Sequence, residues 1–274
     1  MPAMITYSLR NVTVRHQSAG HAVVLHGISL EVARGEQLAV IGPSGAGKTT
    51  LLATLACAHR PDTGAFHVFG QLPWSLAHGA RHRLRARLFL APQTPPLPPR
   101  QRVVSAVLAA RLPHWSLWRA LRSLIKPVDP DAAYDALERF HLGDKLYSRV
   151  DRLSGGERQR CGMARLVLSS AEVFLVDEPL SALDPALSQI TLDALKQEAA
   201  ARGATLICSL HQVDLARANF LRLVGLKDGR IVFDAARAQV TDAMIAALYQ
   251  NDAGAPDRLP EPDAAHKLGI GACF

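Results

Sequence analysis

A chain of 274 residues, 49% of them hydrophobic, can bury one sizeable core with an inserted subdomain and is not a disordered polymer. Its formal charge of +7, from 31 basic and 24 acidic residues, suits polyanionic ligands or an anionic membrane surface, and also nucleic acid. No run of about eighteen apolar residues predicts a spanning helix, no charged-then-apolar start predicts an export signal, and Cys57, Cys161, Cys208 and Cys273 lack the paired short spacing of a zinc site, which fits a reducing compartment.

Ile5–Val14 and Val23–Val32 read as strands of an antiparallel sheet joined by a turn near Gly20. Gln37–Ile41 is a short apolar run before a glycine, the pattern of a buried parallel strand. Residues Gly42-Pro43-Ser44-Gly45-Ala46-Gly47-Lys48-Thr49 follow, then a helical stretch predicted from Lys48 to Ala58. A strand, a glycine-rich turn and a helix N-terminus make an anion site, because free backbone N–H groups and the helix dipole both favour negative charge there. Lys48 is placed to reach the β- and γ-phosphates of a nucleotide and the Thr49 hydroxyl to ligate Mg²⁺. The fixed residues of this pattern arise by chance in roughly one chain in a hundred of this length. The plain alternative is a glycine turn with a surface lysine; the strand–loop–helix context argues against it.

Thr63-Gly64 begins another predicted strand, Ala65–Phe69, and the basic run Arg81–Arg87 is expected to be a solvated helix face rather than a phospholipid contact. Apolar Leu88–Pro92 leads to Gln93 and then to the proline-rich Thr94–Pro99. Residues 101–170 are mostly helical by periodicity. Leu117, Trp118, Leu121, Leu124 and Ile125 share one face at offsets 0, 1, 4, 7 and 8, and the expectation is core of a helical subdomain in preference to a membrane-surface anchor. Tyr134, Leu137, Phe140 and Leu142 are expected to continue that core.

Leu153-Ser154-Gly155-Gly156-Glu157-Arg158-Gln159 opens a further helix, a second N-terminal anion site. Val173-Phe174-Leu175-Val176 is a strand that delivers Asp177 and Glu178 to its C-terminal end, the edge at which open parallel sheets bind ligands. After a phosphate-binding loop, Asp177 is expected to hold Mg²⁺ and Glu178 to orient and polarise an attacking water. His211 follows a strand at Ala204–Ser209. Leu221–Leu226, the Lys227-Asp228-Gly229 turn and Arg230–Asp234 read as a closing hairpin, Asp242–Gln250 as a last helix, and 251–274 as a loosely held tail.

The order of Gly42–Thr49, Leu153–Gln159, Val173–Glu178, Ser181-Ala182-Leu183-Asp184 and His211 resembles the ATP-binding subunit of ABC transporters over about residues 4–250. The resemblance implies an α/β fold: a P-loop NTPase, RecA-like core with an N-terminal antiparallel β subdomain and an inserted helical subdomain at about 94–170. It implies ATP and Mg²⁺ as ligands, with Gly42, Pro43, Ser44, Gly45, Ala46, Gly47, Lys48, Thr49 and Thr50 around the phosphates. Ser154, Gly155 and Gly156 would contact the γ-phosphate of ATP held by an opposite copy, in a head-to-tail homodimer with Ser181–Asp184 along the seam. His211 would touch the γ-phosphate. Gln93 matches the glutamine that senses Mg²⁺ and links to the membrane subunit. His16 falls where an adenine-stacking aromatic is usual, and an imidazole stacks with less area.

The same resemblance implies transmembrane permease subunits as direct partners and a periplasmic solute-binding protein as an indirect one. It implies peripheral attachment at the cytoplasmic face of the inner membrane. Ser209–Ala216, the stretch Pro113-His114-Trp115 with Trp118, and Leu226–Asp234 are similar to segments of phosphonate-importer ATPases; phosphite, phosphate or another small oxyanion are the other solutes considered. Nucleic-acid-associated relatives are disfavoured, since the chain has no Cys-x-x-Cys module, the span from Lys48 to Asp177 is too short for an inserted coiled coil, and each motif occurs once.

Overall fold

The computed structural model describes residues 4–15, 22–125 and 127–250. The turn near Gly20, His16 and the tail 251–274 with Cys273 lie outside the described residues. In chain order the elements are β1 (Ile5–Arg15), β2 (Val23–Ala33), β3 (Gln37–Ile41), α1 (Lys48–Leu55), β4 (Thr63–Val68), α2 (His78–Arg85), β5 (Leu88–Ala91), α3 (Val103–Leu108), α4 (Leu117–Ile125), α5 (Pro130–Glu138), α6 (Gly155–Leu168), β6 (Val173–Asp177), α7 (Pro185–Arg202), β7 (Thr205–Leu210), α8 (Val213–Asn219), β8 (Arg222–Lys227), β9 (Arg230–Ala236) and α9 (Asp242–Tyr249).

Two sheets form. One has three antiparallel strands in the order β2-β1-β4; the other has six in the order β5-β6-β7-β3-β8-β9. The six-stranded sheet is parallel from β5 to β8, and β9 returns antiparallel as the hairpin partner of β8. The central strands are buried on both faces, so they read as continuous apolar runs, and their period of two divides them between two cores. Ala39, Ile41, Phe174 and Val176 face the core shared with the helices of 103–168 and with α7. Leu38, Val40, Val173 and Leu175 face the core shared with the antiparallel sheet and α1. The α/β class and the antiparallel subdomain therefore stand as expected.

Several boundaries and faces differ from expectation. α1 stops at Leu55, short of Ala58, because Cys57 takes a positive φ of 57° that no helix continues. β4 spans Thr63–Val68, and Phe69 turns away with φ 50°. The basic run is not all solvated. Leu84 is buried, and Arg87 lies 3.6 Å over the Phe69 ring while its guanidinium donates two hydrogen bonds to Glu172 at 2.7 and 2.9 Å. The largest departure is α4. Leu117, Trp118 and Leu121 are 75%, 83% and 48% exposed and form no core, whereas Ser123 is buried. Tyr134 is also exposed, although Leu137, Phe140 and Leu142 are buried as expected.

Candidate nucleotide site

β3 ends at Ile41, and the chain then turns so tightly that a Cβ on Gly42 would stand 2.0 Å from the Leu226 carbonyl oxygen, so only glycine fits. The loop runs into α1 through Gly47 at φ 101°, with no side chain capping the helix. Its first amides are thus left for a ligand. Lys48 is almost fully buried; its Nζ donates to the carbonyls of Gly42 at 2.8 Å and Pro43 at 3.0 Å, which fixes the cation across the loop. A cavity of about 430 Å³ is lined by Val24, Ser44–Thr50, Gln93, Glu178 and His211.

β6 brings the carboxylates. Asp177 is buried and accepts a 2.6 Å hydrogen bond from Ser209 Oγ on the neighbouring strand β7. Glu178 Oε1 stands 2.5 Å from His211 Nε2 and 3.8 Å from Lys48 Nζ. Burial pushes the Glu178 carboxyl up. The hydrogen bond from His211, the charge of His211 and that of Lys48 outweigh it and hold the group below the ordinary carboxylate value. Glu178 therefore stays ionised at neutral pH, as an acceptor of hydrogen bonds or protons.

Glu178 also sits at φ 48°, where a side chain is strained by roughly 1–3 kcal/mol. Two residues hold its backbone there. Ser209 Oγ accepts from the Glu178 N–H at 3.0 Å, and Gln159 Nε2 donates to the Glu178 carbonyl at 2.7 Å. Gln159, buried on α6, also donates to Ser181 Oγ at 3.2 Å and accepts from the Ala182 N–H at 3.2 Å. One amide thus ties the helix that follows Ser154 to Glu178 and to the Ser181–Asp184 segment. Sequence reasoning names Gln159 and Ser209 within motifs but gives neither a role at Glu178. The available signal was a polar residue inside a buried apolar strand and a glutamine on the buried face of a helix.

Ser154 caps α6. Its Oγ accepts from the Glu157 N–H at 3.2 Å, and the Glu157 carboxylate accepts from the Ser154 N–H at 2.7 Å, a reciprocal box. A hydroxyl that accepts in this way keeps its own proton for donation. Gly156 allows Ala182 to approach, since a Cβ there would meet the Ala182 carbonyl at 2.7 Å, whereas at Gly155 the nearest atom would be 4.0 Å away. The structure thus brings Lys48, Thr49, Thr50, Gln93, Glu178 and His211 to one cavity, whereas Ser154, Gly155 and Gly156 do not line it. Pro95, two residues after Gln93, packs on α6: a Cβ on Gly162 would be 2.6 Å from Pro95 Cγ.

A family model described as ABC transporter matches residues 25–181, more than half of the chain. The chain belongs to the ABC transporter family. Among its relatives, the phosphonates import ATP-binding protein PhnC 2 of Albidiferax ferrireducens is 57% identical over 244 residues, 88% of each chain. PhnC 1 of Pseudomonas aeruginosa is 53% identical over 248 residues, 90% of this chain and 92% of that protein. A dimeric ATP-binding cassette in a post-hydrolysis state bound to ADP and Pi superposes with a TM-score of 0.72 at 23% identity, covering 84% of this chain and 98% of that one; it shows the shared fold. An inward-facing putative metal-chelate type ABC transporter gives 0.70 at 25% identity, with 90% and 89% covered. As an ABC transporter ATPase domain, this chain binds nucleotide. No helix among the described residues is long and apolar enough to cross a membrane.

Proposed function

We propose that this ABC ATPase powers phosphonate import, with residues 4–250 as the ATPase domain and 94–170 as its helical subdomain. The observation that carries the hydrolytic part is Glu178, strained, ionised and held between Lys48 and His211 at the wall of the loop cavity. The solute rests on the relatives named for phosphonate import, at identities of 46–57%.

Two copies close head to tail on two ATP molecules. Loop amides, Lys48, Ser154 of the other copy and His211 stabilise charge on the transferring phosphoryl group. Glu178 accepts a hydrogen bond from the attacking water and aims it in line. Thr49 and Gln93 on the cavity and Asp177 beside it offer hydroxyl, amide and carboxylate oxygens, the hard donors that suit Mg²⁺. When bound, that ion would supply positive charge that offsets the negative charge of the phosphates. Loss of the γ-phosphate opens the pair, and Gln93 passes the change to permease subunits at the cytoplasmic face of the inner membrane. A periplasmic solute-binding protein is the indirect partner, and no nucleic acid is expected.

The test is growth of a strain lacking this chain, complemented by wild type or Glu178→Gln, with a phosphonate, phosphate or phosphite as sole phosphorus source. Growth lost only on phosphonate and restored only by wild type is expected. Normal phosphonate growth in the deleted strain would move the solute to another oxyanion while leaving the ATPase assignment to be judged by purified turnover.

A further inference from the structure

Among the described side chains of α4, residues 117–123, the large apolar ones lie outward. Its inward side carries Ala120, half-buried, and Ser123, buried, whereas Leu117, Trp118 and Leu121 stand in solvent. At about 100° per residue these three span an arc of about 100°, with Arg122 and then Arg119 continuing around the helix. Burying an alanine and a serine while exposing a tryptophan and two leucines leaves a contiguous apolar stripe that the fold itself does not use.

The charge around the stripe is one-sided. From Gln101 to Val128 the sequence holds five cations, Arg102, Arg111, Arg119, Arg122 and Lys126, and no acidic residue; the first carboxylate is Asp129. Arg111 is neutralised, since it donates to Asp129 at 2.6 Å. The Arg119 guanidinium lies 5.2 Å over the Trp115 ring and its charge also acts on Asp129, while Arg122 makes no ion pair among the described residues. A core-facing helix has no use for cations beside an exposed tryptophan. An anionic interface uses both features at once: the indole and leucines enter the headgroup–acyl boundary while the guanidinium groups stay at the phosphates.

We propose that α4 is a lipid-facing helix, which seats Leu117, Trp118 and Leu121 in a bilayer surface of anionic phospholipid, with Arg119 and Arg122 on the headgroup phosphates. It would give a chain without a described spanning helix its own foothold on the membrane, separate from any permease contact. Each lost apolar anchor removes interfacial burial without altering net charge, so the stripe can be separated from the general attraction of a +7 protein to anions.

The experiment is cosedimentation of the full chain with vesicles of pure phosphatidylcholine or of phosphatidylcholine with phosphatidylglycerol, at physiological salt. Wild type is compared with Leu117→Ser/Trp118→Ser/Leu121→Ser and, separately, with Arg119→Gln/Arg122→Gln. Unchanged melting and unchanged ATPase rate in detergent-free buffer establish that each variant is folded. The expected result is retention on the anionic vesicles, with the apparent partition coefficient falling about tenfold or more in the apolar variant and several-fold in the arginine variant. Trp118 emission should shift to the blue on anionic vesicles, read with Trp74 and Trp115 replaced by Phe. Equal retention of wild type and the apolar variant, or no retention of wild type, would overturn the proposal. So would an unshifted Trp118 spectrum, including the case where the stripe instead captures an acidic protein segment.

Discussion

The two anion sites of this chain are built in different ways. At Gly42–Thr49 the chain completes the site with its own distant residues: Lys48 is clamped by loop carbonyls, and Glu178, His211 and Gln93 converge from other strands. At Ser154–Gly156 the side-chain hydrogen bonds are local. The serine is finished by the reciprocal cap with Glu157, both glycines have Ala182 as nearest neighbour, and none of the three lines the loop cavity. In the proposed head-to-tail pair, the first site would gain a donor for the far side of a phosphate and the second would gain a nucleotide, so damage to the first should abolish chemistry within a chain, and damage to the second should abolish assembly.

The sharpest break falls at Glu178. Glu178→Gln keeps the shape and removes the charge that Lys48 and His211 stabilise. Steady-state turnover should fall by a factor of about 10² or more, while ATP is retained in a dimer resolved by size exclusion. Near-normal turnover would sink the role assigned to this carboxylate. At the second site, Ser154→Arg places bulk and charge where the other copy's phosphates are to dock. Nucleotide binding by the separate chain, followed with a fluorescent ATP analogue, should stay within about a factor of three, because Ser154 does not line that cavity. ATP-dependent dimerisation should disappear. A dimer that persists would contradict the trans role.

Gln159 joins the two regions, and its removal gives an intermediate effect. Gln159→Ala frees the Glu178 carbonyl and the Ala182 N–H from one buried amide, so the strained Glu178 backbone can relax. A loss of about 1–2 kcal/mol of positioning corresponds to roughly a tenfold drop in kcat. KM for ATP should be little changed, because the loop contacts are intact. A variant that merely loosened the fold would raise KM and lower the melting temperature without this split.

What could be read in advance follows the same division. The loop, β3, β6 and the closing hairpin were legible because their information is local: an apolar run, glycines at fixed offsets, acids at a strand end. Ser209 and Gln159 were not, because each acts across the sheet or between helix and loop, 31 and 19 residues from Glu178. α4 was legible as a helix, but periodicity says which residues share a face and not what covers it. Leu117, Trp118 and Leu121 are therefore expected in a core that their side chains do not enter, and the side chains of Leu124 and Ile125 lie outside the described residues. Proposed adenine stacking at His16 falls outside the described residues.

The smallest effect tests whether the second site is as self-contained as its geometry indicates. The Glu157 carboxyl is held below its ordinary value, first by the hydrogen bond from the Ser154 N–H, against the opposing effect of burial, and then by the Ser154 side chain, Lys145 and Arg160. A depressed carboxylate contributes stability that is complete above its unfolded value and lost as pH falls through its folded one. The cap should therefore be intact above about pH 5 and weaken on further acidification. Glu157→Ala removes one arm of the box and should cost about 1 kcal/mol, or a melting shift of about 2–4 °C at neutral pH, and less at pH 4. Glu157→Gln can still accept the Ser154 N–H but forfeits the charge that faces Lys145, 3.7 Å away and partly exposed, and Arg160, so at neutral pH it should melt between wild type and Glu157→Ala. If Gln and Ala destabilise equally, the charge and not the cap holds this end of α6, and the Ser154 hydroxyl owes its orientation to something other than the box.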